Sequence, residues 1–424
     1  MWTNNNLNES SEDTQFEKLR EEKMKQCQNF ISTLKKEEPS TKKAQIIVIG
    51  TGGTFQSAEM DDGKMAPEWK LSESLKALQL PSDDRIEMYD GKNESRLFEL
   101  FNVDSANMWV HEWSILWEVI ARILKEVPQY VDGVIVTHGT DTMARGASYL
   151  SYMLQNTPKP IIVTGSQRPA RQKWSDAKEK MEHCIWAILK AKETWMSEVS
   201  LLCGTTLVRG TWAQKMWDET DNAFTSYNDP KGESFVTSLT KKETGSVVLP
   251  QLLDFSVPEG GRDFLPHARK YNPNKPFVVN THLIHDSDTL FIPTTDVSDI
   301  LLRGIIKSVN VGVFELLWSA TANDRIVDTI EEFSKKGKII LFRSPFHDSS
   351  LRAGHYSAWA KVSQMNVPIL NTSADSLRAK INFVTHKIWL YGKWEQSNIG
   401  DIYPPNIVQD FWELMSTNMV WELV

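Results

Sequence analysis

From about residue 45, short apolar runs alternate with amphipathic segments along the chain. The runs IIVIG (46–50), VIVT (134–137) and IIVT (161–164) have the pattern of strands that are covered on both faces. Between the first two runs, apolar side chains recur at the spacing of one helical face: Trp113, Leu116, Trp117, Ile120 and Leu124. Strands that alternate with helices in this way predict a largely parallel α/β sheet.

A polar stretch rich in Pro and Gly, between about 226 and 275, separates this pattern from a second α/β pattern. The second pattern includes the apolar run KIILF and the helical segment NDRIVDTIEEFSKK. We therefore expect an N-terminal domain, a linker and a smaller C-terminal domain, flanked by a charged helical or flexible extension and a tail. The expected boundaries are, in chain order, 1–43 for the extension, 44–245, 246–275, 276–394, and 395–424 for the tail.

The composition narrows the class of protein and of ligand. The chain has 424 residues, of which 41% are hydrophobic and 24% charged, as in folded proteins of two or three domains. Its net charge of -8 argues against nucleic acid or an anionic membrane as partner, because those need a basic surface. The three cysteines are far apart, and neither a signal peptide nor an apolar run of roughly 18 residues is present. We expect a soluble, cytoplasmic protein.

Small polar residues follow three of the predicted strands. Thr51 and Thr54 lie in GTGGT, Thr140 and Asp141 in THGTDT, and Ser166 in TGSQRP. Ligands bind at the carboxyl ends of the strands in open α/β sheets, so these loops are expected to face one crevice. Two other interpretations of GTGGTF are open: a nucleotide loop, although the third glycine of GxGxxG is missing, and a plain tight turn.

Six motifs together point further than any one of them. They are TGGT (51–54), DSANM (104–108), THGTDT (137–142), TGSQRP (164–169), SDA (175–177) and RGTWAQK (209–215). Their order and spacing resemble the asparaginase/glutaminase family, most closely the cytoplasmic type I L-asparaginases. The resemblance implies a two-domain asparaginase-like fold with a flavodoxin-like C-terminal domain. It also implies a homo-oligomer, dimer or tetramer, that releases ammonia from L-asparagine or a related amino-acid amide, with no cofactor or metal.

The resemblance assigns the catalytic residues. Thr54 matches the threonine nucleophile that forms an acyl-enzyme, and Thr140, Asp141 and Lys215 match a second triad. The chemistry agrees, because a threonine hydroxyl is a weak nucleophile that needs a neighbouring base or strong polarisation. A hydroxyl, a carboxylate and a cation together can order a water molecule or relay a proton.

Three positions match substrate-binding residues of the family. Ser105 matches the serine that holds the α-carboxylate, Asp141 matches the carboxylate that receives the α-ammonium, and the backbone of Ser166 matches a contact to the amide. Each position has a structural alternative. Ser105 and Thr140 could cap the helices that follow, and Lys215 could be an ordinary surface lysine.

The sequence departs from the family in the active-site lid. The family has a tyrosine that activates the nucleophile where this chain has Lys64, and no tyrosine occurs between 55 and 88. Phe55 and Gln56 also replace an aliphatic and a small residue. Lys64 could substitute for the tyrosine only if burial lowered its pKa.

Two further departures lie outside the lid. Lys180 stands where the family commonly has asparagine, and ELLWSATAND (315–324) replaces a glycine-rich turn, so that only Asn323 is a candidate there for a residue reaching a neighbouring subunit's site. His282 and His285 form an isolated pair, which predicts no metal site.

These departures leave three hypotheses for function. The first is an active amidohydrolase. The second is a degenerate member with a binding or structural role, in which the C-terminal segments WLYGKW and MVWELV are candidate partner surfaces. The third is a tRNA-dependent amidotransferase subunit, which would carry an added N-terminal β domain and a groove for RNA. The acidic charge and the helical pattern before residue 43 disfavour the third.

Overall fold

The structure is a computed structural model of the chain. It describes residues 9–39, 42–80, 86–88, 94–194, 196–227, 271–280, 289–295, 297–317, 322–344, 357–365, 367–390, 403–417 and 419. These residues form two compact units. The first holds those up to Gly210, with Lys215–Thr225 and 271–280, and the second holds Thr211–Gln214, 226–227 and those from 289 onward. No helix among them is both long and apolar enough to cross a membrane.

The helices of the described residues are α1 (Glu9–Leu34), α2 (Leu71–Leu78), α3 (Val110–Glu126), α4 (Met143–Met153), α5 (Ala177–Thr194), α6 (Asp299–Ser308), α7 (Asp324–Lys335), α8 (Ser357–Gln364), α9 (Ala374–Leu390) and α10 (Pro405–Ser416). Their strands are β1 (Ala44–Gly52), β2 (Ser57–Glu59), β3 (Met65–Pro67), β4 (Ile86–Glu87), β5 (Leu97–Val103), β6 (Gly133–Thr137), β7 (Leu154–Gln155), β8 (Ile161–Thr164), β9 (Val199–Cys203), β10 (Thr206–Arg209), β11 (Ala213–Lys215), β12 (Phe224–Ser226), β13 (Val278–Val279), β14 (Thr289–Pro293), β15 (Val311–Glu315), β16 (Ile339–Arg343) and β17 (Ile369–Leu370).

The first unit is built on a seven-stranded sheet in the order β10-β9-β8-β6-β1-β4, with β5 also paired to β1. Every pairing is parallel except that of β9 with β10. All side chains of β1, β6 and β8 are buried, as expected for apolar strands covered on both faces. The mostly parallel sheet predicted from the sequence is confirmed.

Amphipathic helices cover this sheet. From α5 and α2, side chains such as Met181, Ile188 and Leu75 pack against Ile46 and Ile135 of the sheet in one apolar cluster. The predicted helix around Trp113 is also present as α3, and both of its early tryptophans are fully buried. Its start is fixed by a capping pair, because the Glu112 carboxylate accepts a hydrogen bond from the backbone N–H of Trp109 at 2.8 Å.

The N-terminal segment forms one long helix that packs on α3. On α1 the buried apolar side chains are Phe16, Met24, Cys27, Ile31 and Leu34. The Arg20 guanidinium holds the buried Glu118 carboxylate of α3 through two bonds, Nε to Oε2 at 2.8 Å and Nη2 to Oε1 at 3.1 Å. Residues 9–39 contain no strand, so the N-terminal β domain expected of an amidotransferase subunit is not found in this described segment.

The second unit is built on a four-stranded parallel sheet in the order β14-β15-β16-β17. Helices α6 and α7 pack on it through an apolar cluster that includes Leu302, Ile330 and Phe342. The C-terminal helix α10 buries Ile407 and Phe411, and the nearby Trp412 indole donates to the Ile340 carbonyl at 2.9 Å. A second α/β sheet was predicted, and it is confirmed; the domain boundaries given above stay a prediction.

Candidate active site

Four loops at the carboxyl end of the first sheet meet through glycines. A Cβ atom added to Gly53 would overlap the backbone of Gly139, and one added to Gly139 would overlap the side chain of Ser105. A Cβ added to Gly165 would overlap the carbonyl of His138. Glycine is therefore required sterically where the TGGT, DSANM, THGTDT and TGSQRP loops touch, and the loops form one floor, as the sequence predicts.

Thr54 follows the end of β1 after one intervening residue, Gly53. Gly52 and Gly53 have φ angles of +98° and +69°, a region that favours glycine, and Gly53 N–H donates to the Val103 carbonyl at 2.9 Å. The chain then forms a single 3₁₀ turn that starts at Thr54, and the Thr54 side chain stays partly exposed. The turn thus presents a hydroxyl at the carboxyl end of the sheet, in reach of a ligand.

Lys215 joins the predicted second triad. Its ammonium donates to the Thr140 hydroxyl at 3.1 Å and to the Asp141 carboxylate at 2.7 Å. The Lys215 and Thr140 side chains are largely buried, whereas that of Asp141 is 64% exposed. The three residues predicted from the sequence therefore stand together, with the Asp141 carboxylate facing solvent.

Sequence reasoning missed a fourth member, Asp218. The Asp218 carboxylate accepts the third hydrogen bond of the Lys215 ammonium, at 2.7 Å. Partial burial alone would lower the pKa of Lys215, but its hydrogen bonds to Asp141 and Asp218 outweigh that effect, and the pKa is raised. The only signal in the sequence was an aspartate three residues after the lysine, in the turn after β11.

His138 links three of the loops through hydrogen bonds. The imidazole Nδ1 lies 2.6 Å from the Thr51 hydroxyl, and Nε2 lies 2.9 Å from the Thr142 hydroxyl. Thr142 in turn donates to the Ser105 carbonyl at 3.0 Å. Burial lowers the pKa of His138 to about 3, so the ring is neutral near pH 7. The ring also packs edge-on against Trp113 of α3, with centroids 4.5 Å apart, as expected for a histidine with a structural role.

Ser105 itself is buried at the start of a short 3₁₀ turn. The cap of that turn is Asp104, whose carboxylate accepts from the Ala106 N–H at 2.9 Å. The residue that precedes α4 is Thr142, and its side chain makes no capping bond. Neither Ser105 nor Thr140 therefore occupies the capping position that was the structural alternative for it.

The TGSQRP loop is held by a buried ion pair. The Asp176 carboxylate accepts from the backbone N–H of Gln167 at 2.9 Å and of Arg168 at 3.0 Å, and Lys180 pairs with it at 2.5 Å. Burial would raise the pKa of Asp176, but Lys180 and these N–H groups outweigh burial, and the pKa is lowered. Lys180, which departs from the family, therefore has a structural partner. Within the described residues, the buried Ser166 hydroxyl has no hydrogen-bond partner.

The lid is a hairpin of β2 and β3, and its turn carries Lys64. The Lys64 side chain is 81% exposed, and its ammonium pairs with Asp62 at 2.8 Å. The burial that Lys64 would need to replace the family's tyrosine is absent. The hydrogen bond that Asp62 accepts from Lys64 lowers the pKa of Asp62.

The other lid departure, Gln56, is fully buried. Its amide oxygen accepts from the Gly52 N–H at 3.2 Å, and its amide nitrogen donates to the Trp69 carbonyl at 3.1 Å. Its backbone carbonyl accepts from the N–H groups of Glu68 and Trp69. Gln56 thus ties the far end of the hairpin to the end of β1.

The remaining candidates contribute less. Asn323 is exposed and caps α7, where its side-chain oxygen accepts from the Arg325 N–H at 3.0 Å. His282 and His285 lie outside the described residues, as do the segment MVWELV except Met419 and all of WLYGKW but its first two residues.

Comparisons with known proteins find similar sequences and folds. The family described as Asparaginase, N-terminal, matches residues 45–243. The 60 kDa lysophospholipase of Mus musculus is 32% identical over 202 residues, which are 44% of this chain and 34% of that protein. L-asparaginase 1 of Escherichia coli K12 is 33% identical over 192 residues, 44% of this chain and 52% of that protein.

Among solved structures, the thermostable L-asparaginase from Thermococcus kodakarensis aligns with a TM-score of 0.66 and 18% identity, over 89% of this chain and 99% of that one. This likeness concerns the fold, which is that of a two-domain asparaginase. The chain spans about a third to a half of the length of the two curated relatives above. The region of this chain that is similar to the asparaginase family is thus residues 45–243, just under half of its length.

Proposed function

We propose that this chain is an amidohydrolase that releases ammonia from L-asparagine, or from a related amino-acid amide, with Thr54 as nucleophile. The match of residues 45–243 to the asparaginase family supports amidohydrolase activity on asparagine in general. The observation that carries the proposal is the Lys215 ammonium bonded to both Thr140 and Asp141, on a loop that touches the Thr54 loop.

In the proposed first step, the Thr54 oxygen attacks the carbonyl carbon of the substrate amide and a tetrahedral intermediate forms. The Thr54 proton passes to the amide nitrogen, the C–N bond breaks and ammonia leaves. An ester between Thr54 and the substrate acyl group remains. Backbone N–H groups of the glycine-rich loops are the available donors for the oxyanion. In the second step, water attacks the ester and restores the Thr54 hydroxyl, with the amino-acid carboxylate as product.

The role of Lys215 follows from its charge. Its raised pKa keeps the ammonium protonated near neutral pH, so it is a hydrogen-bond donor in the resting site. Because Lys215 donates to the Thr140 oxygen, the Thr140 hydroxyl proton must point elsewhere. Thr140 can then donate that proton to a water molecule or to the substrate. We assign Thr140 the task of orienting the reacting water, and Asp141 the task of binding the substrate's ammonium.

The exposed Lys64 favours a second candidate, a degenerate asparaginase-like protein that binds an amino acid without rapid turnover. In the family resemblance the lid tyrosine activates the nucleophile. The described lid offers no tyrosine and no buried base at the turn of the hairpin, so we propose that the amidase activity is weak.

The test measures ammonia release by the purified full chain between pH 6 and 9, with L-asparagine, L-glutamine and D-asparagine as separate substrates. Thr54→Ala is the control for the nucleophile. Calorimetric titration of each amino acid is run beside it. Turnover that depends on Thr54 supports the enzyme, whereas binding without turnover supports the degenerate alternative. The absence of both contradicts each of them.

Assembly and location remain proposals as well. By family analogy we propose a cytoplasmic homo-oligomer, dimer or tetramer. Sedimentation velocity of the purified chain can test the oligomeric state.

A further inference from the structure

The Lys215 ammonium has three N–H groups, and three acceptors take them. They are the Thr140 hydroxyl at 3.1 Å, the Asp141 carboxylate at 2.7 Å and the Asp218 carboxylate at 2.7 Å. A lysine ammonium has no further donor to offer. The family resemblance accounts for the first two acceptors only, and Asp218 is left without an assigned role.

We propose that Asp218 is a positioning residue that serves Lys215 as a second counter-ion, so that the Asp141 carboxylate remains available to a cationic group of the substrate. This inference rests on the proposed function, in which Asp141 receives the substrate's ammonium.

The two carboxylates differ in what else they can do. Asp141 immediately follows Thr140, which ties it to the floor of the site, and its side chain is 64% exposed. Asp218 lies in the turn after β11 and is 83% exposed. The Lys215 ammonium lies at hydrogen-bond distance from the Asp141 carboxylate. A substrate ammonium that approaches the same carboxylate is therefore repelled by the positive charge of Lys215. The negative charge of Asp218 offsets that repulsion, because it neutralises Lys215 from another side.

The charges around Lys215 are few. Among the described residues, Asp141 and Asp218 are the two carboxylates within ion-pair distance of its ammonium. Asp221 lies in the same turn but faces the Arg168 guanidinium at 3.8 Å. Both directions of pKa shift agree with the pairing, since the pKa of Lys215 is raised and the hydrogen bond to Lys215 lowers the pKa of Asp218.

The experiment compares Asp218→Asn with the matched variant Asp221→Asn, which removes a like charge from the same turn. The dissociation constants of L-asparagine and of its deamino analogue succinamate are measured by calorimetry. We expect Asp218→Asn to weaken L-asparagine binding roughly three- to fivefold, as for loss of one exposed charge interaction. Succinamate has no ammonium, so its affinity should change less than about twofold by the same reasoning. Asp221→Asn should change neither.

A second readout needs no substrate. The rate at which acetic anhydride labels Lys215 is followed against pH by mass spectrometry. Asp218→Asn should move the onset of labelling to lower pH, and Asp221→Asn should leave it in place. Equal weakening of both ligands, or an unmoved labelling curve, would overturn the proposal. If neither ligand binds the wild type, the proposed function fails, while the labelling curve still decides whether Asp218 holds Lys215.

Discussion

The floor of the candidate site and the lid hairpin are both built after β1, yet they are held in opposite ways. In the floor, Lys215 and His138 have fixed partners from other loops, and glycine contacts lock the loops together. In the hairpin, Gln56 ties the base to the end of β1, while Lys64 at the turn pairs with Asp62, two residues away. Because the turn of the lid makes its ion pair within the hairpin, we expect changes there to leave the floor intact.

The largest effect on activity is expected when hydroxyls are removed from the floor. Thr54→Ala and Thr140→Val should each lower kcat on the order of 10⁴-fold. The reason is that losing one member of a cooperating catalytic unit commonly lowers the rate about as much as losing several. Ammonia release is the assay, and circular dichroism checks the fold. Thr33→Ala, on the exposed face of α1, is the matched control and should leave kcat unchanged. A Thr140→Val variant with near wild-type kcat would remove Thr140 from the mechanism.

The second test uses acid, because the floor contains a buried neutral histidine. The pKa of His138 is about 3 in the folded chain and near 6.5 when unfolded, so the unfolded state binds the proton first. The stabilisation is complete above pH 6.5 and is lost progressively as the pH falls to about 3. It amounts to at most about 5 kcal/mol. Urea unfolding at several pH values measures it.

His138→Gln removes the titrating ring and is the matched variant for that series. Its free energy of unfolding should be lower at pH 7, because the bonds to Thr51 and Thr142 are disturbed, and should fall less steeply with acid. Equal slopes for wild type and variant would mean that His138 is not responsible for the acid sensitivity.

The sequence predicted the floor better than its supports. Strand ends followed by Gly, Thr and Asp placed Thr54, Thr140 and Asp141 at one edge, because parallel strands deliver their carboxyl ends together. The partner of Gln56 could not be predicted in this way. Gln56 reaches Trp69 across the lid hairpin, which depends on side-chain directions that no periodic pattern encodes. Lys180 is different, because its partner Asp176 lies four residues earlier, at the spacing of one helical turn.

The N-terminal segment shows the same limit. The extension over 1–43 is predicted to be helical or flexible, and Glu9–Leu34 within it forms helix α1. Its partner was not visible, because Arg20 meets Glu118 across 98 residues of sequence. The sequence predicts a charged extension outside the N-terminal domain, whereas one face of α1 is buried against α3.

A third test concerns the tied base of the lid. Gln56→Ala leaves Gly52 N–H without its side-chain acceptor and removes one of the two side-chain donors to the Trp69 carbonyl, the other being Asn102, so it should destabilise the chain by about 1–3 kcal/mol. Urea unfolding measures this loss, and limited proteolysis of the hairpin should become faster. Gln28→Ala, an exposed glutamine on α1, should change neither. Unchanged proteolysis of Gln56→Ala would show that the base is held by other contacts.

The smallest expected effects lie at the turn of the hairpin. Lys64→Ala should change kcat less than about twofold, since an exposed pair with Asp62 contributes little. Lys64→Tyr should raise kcat, because it restores the hydroxyl that the family uses there. Ammonia release by the two variants and the wild type, side by side, is the measurement. Brisk wild-type turnover that Lys64→Ala abolishes would mean that the lysine acts in catalysis.

Helix α1 lies outside the region that matches the family, yet it packs against that region. The match to the family begins at residue 45, beyond the end of α1. A fragment cut at that boundary would keep the inherited module but leave the Glu118 carboxylate without Arg20, on a surface that the apolar side of α1 had kept from water. We therefore expect the smallest stably folded fragment that contains this sheet to include α1 as well as the matched region.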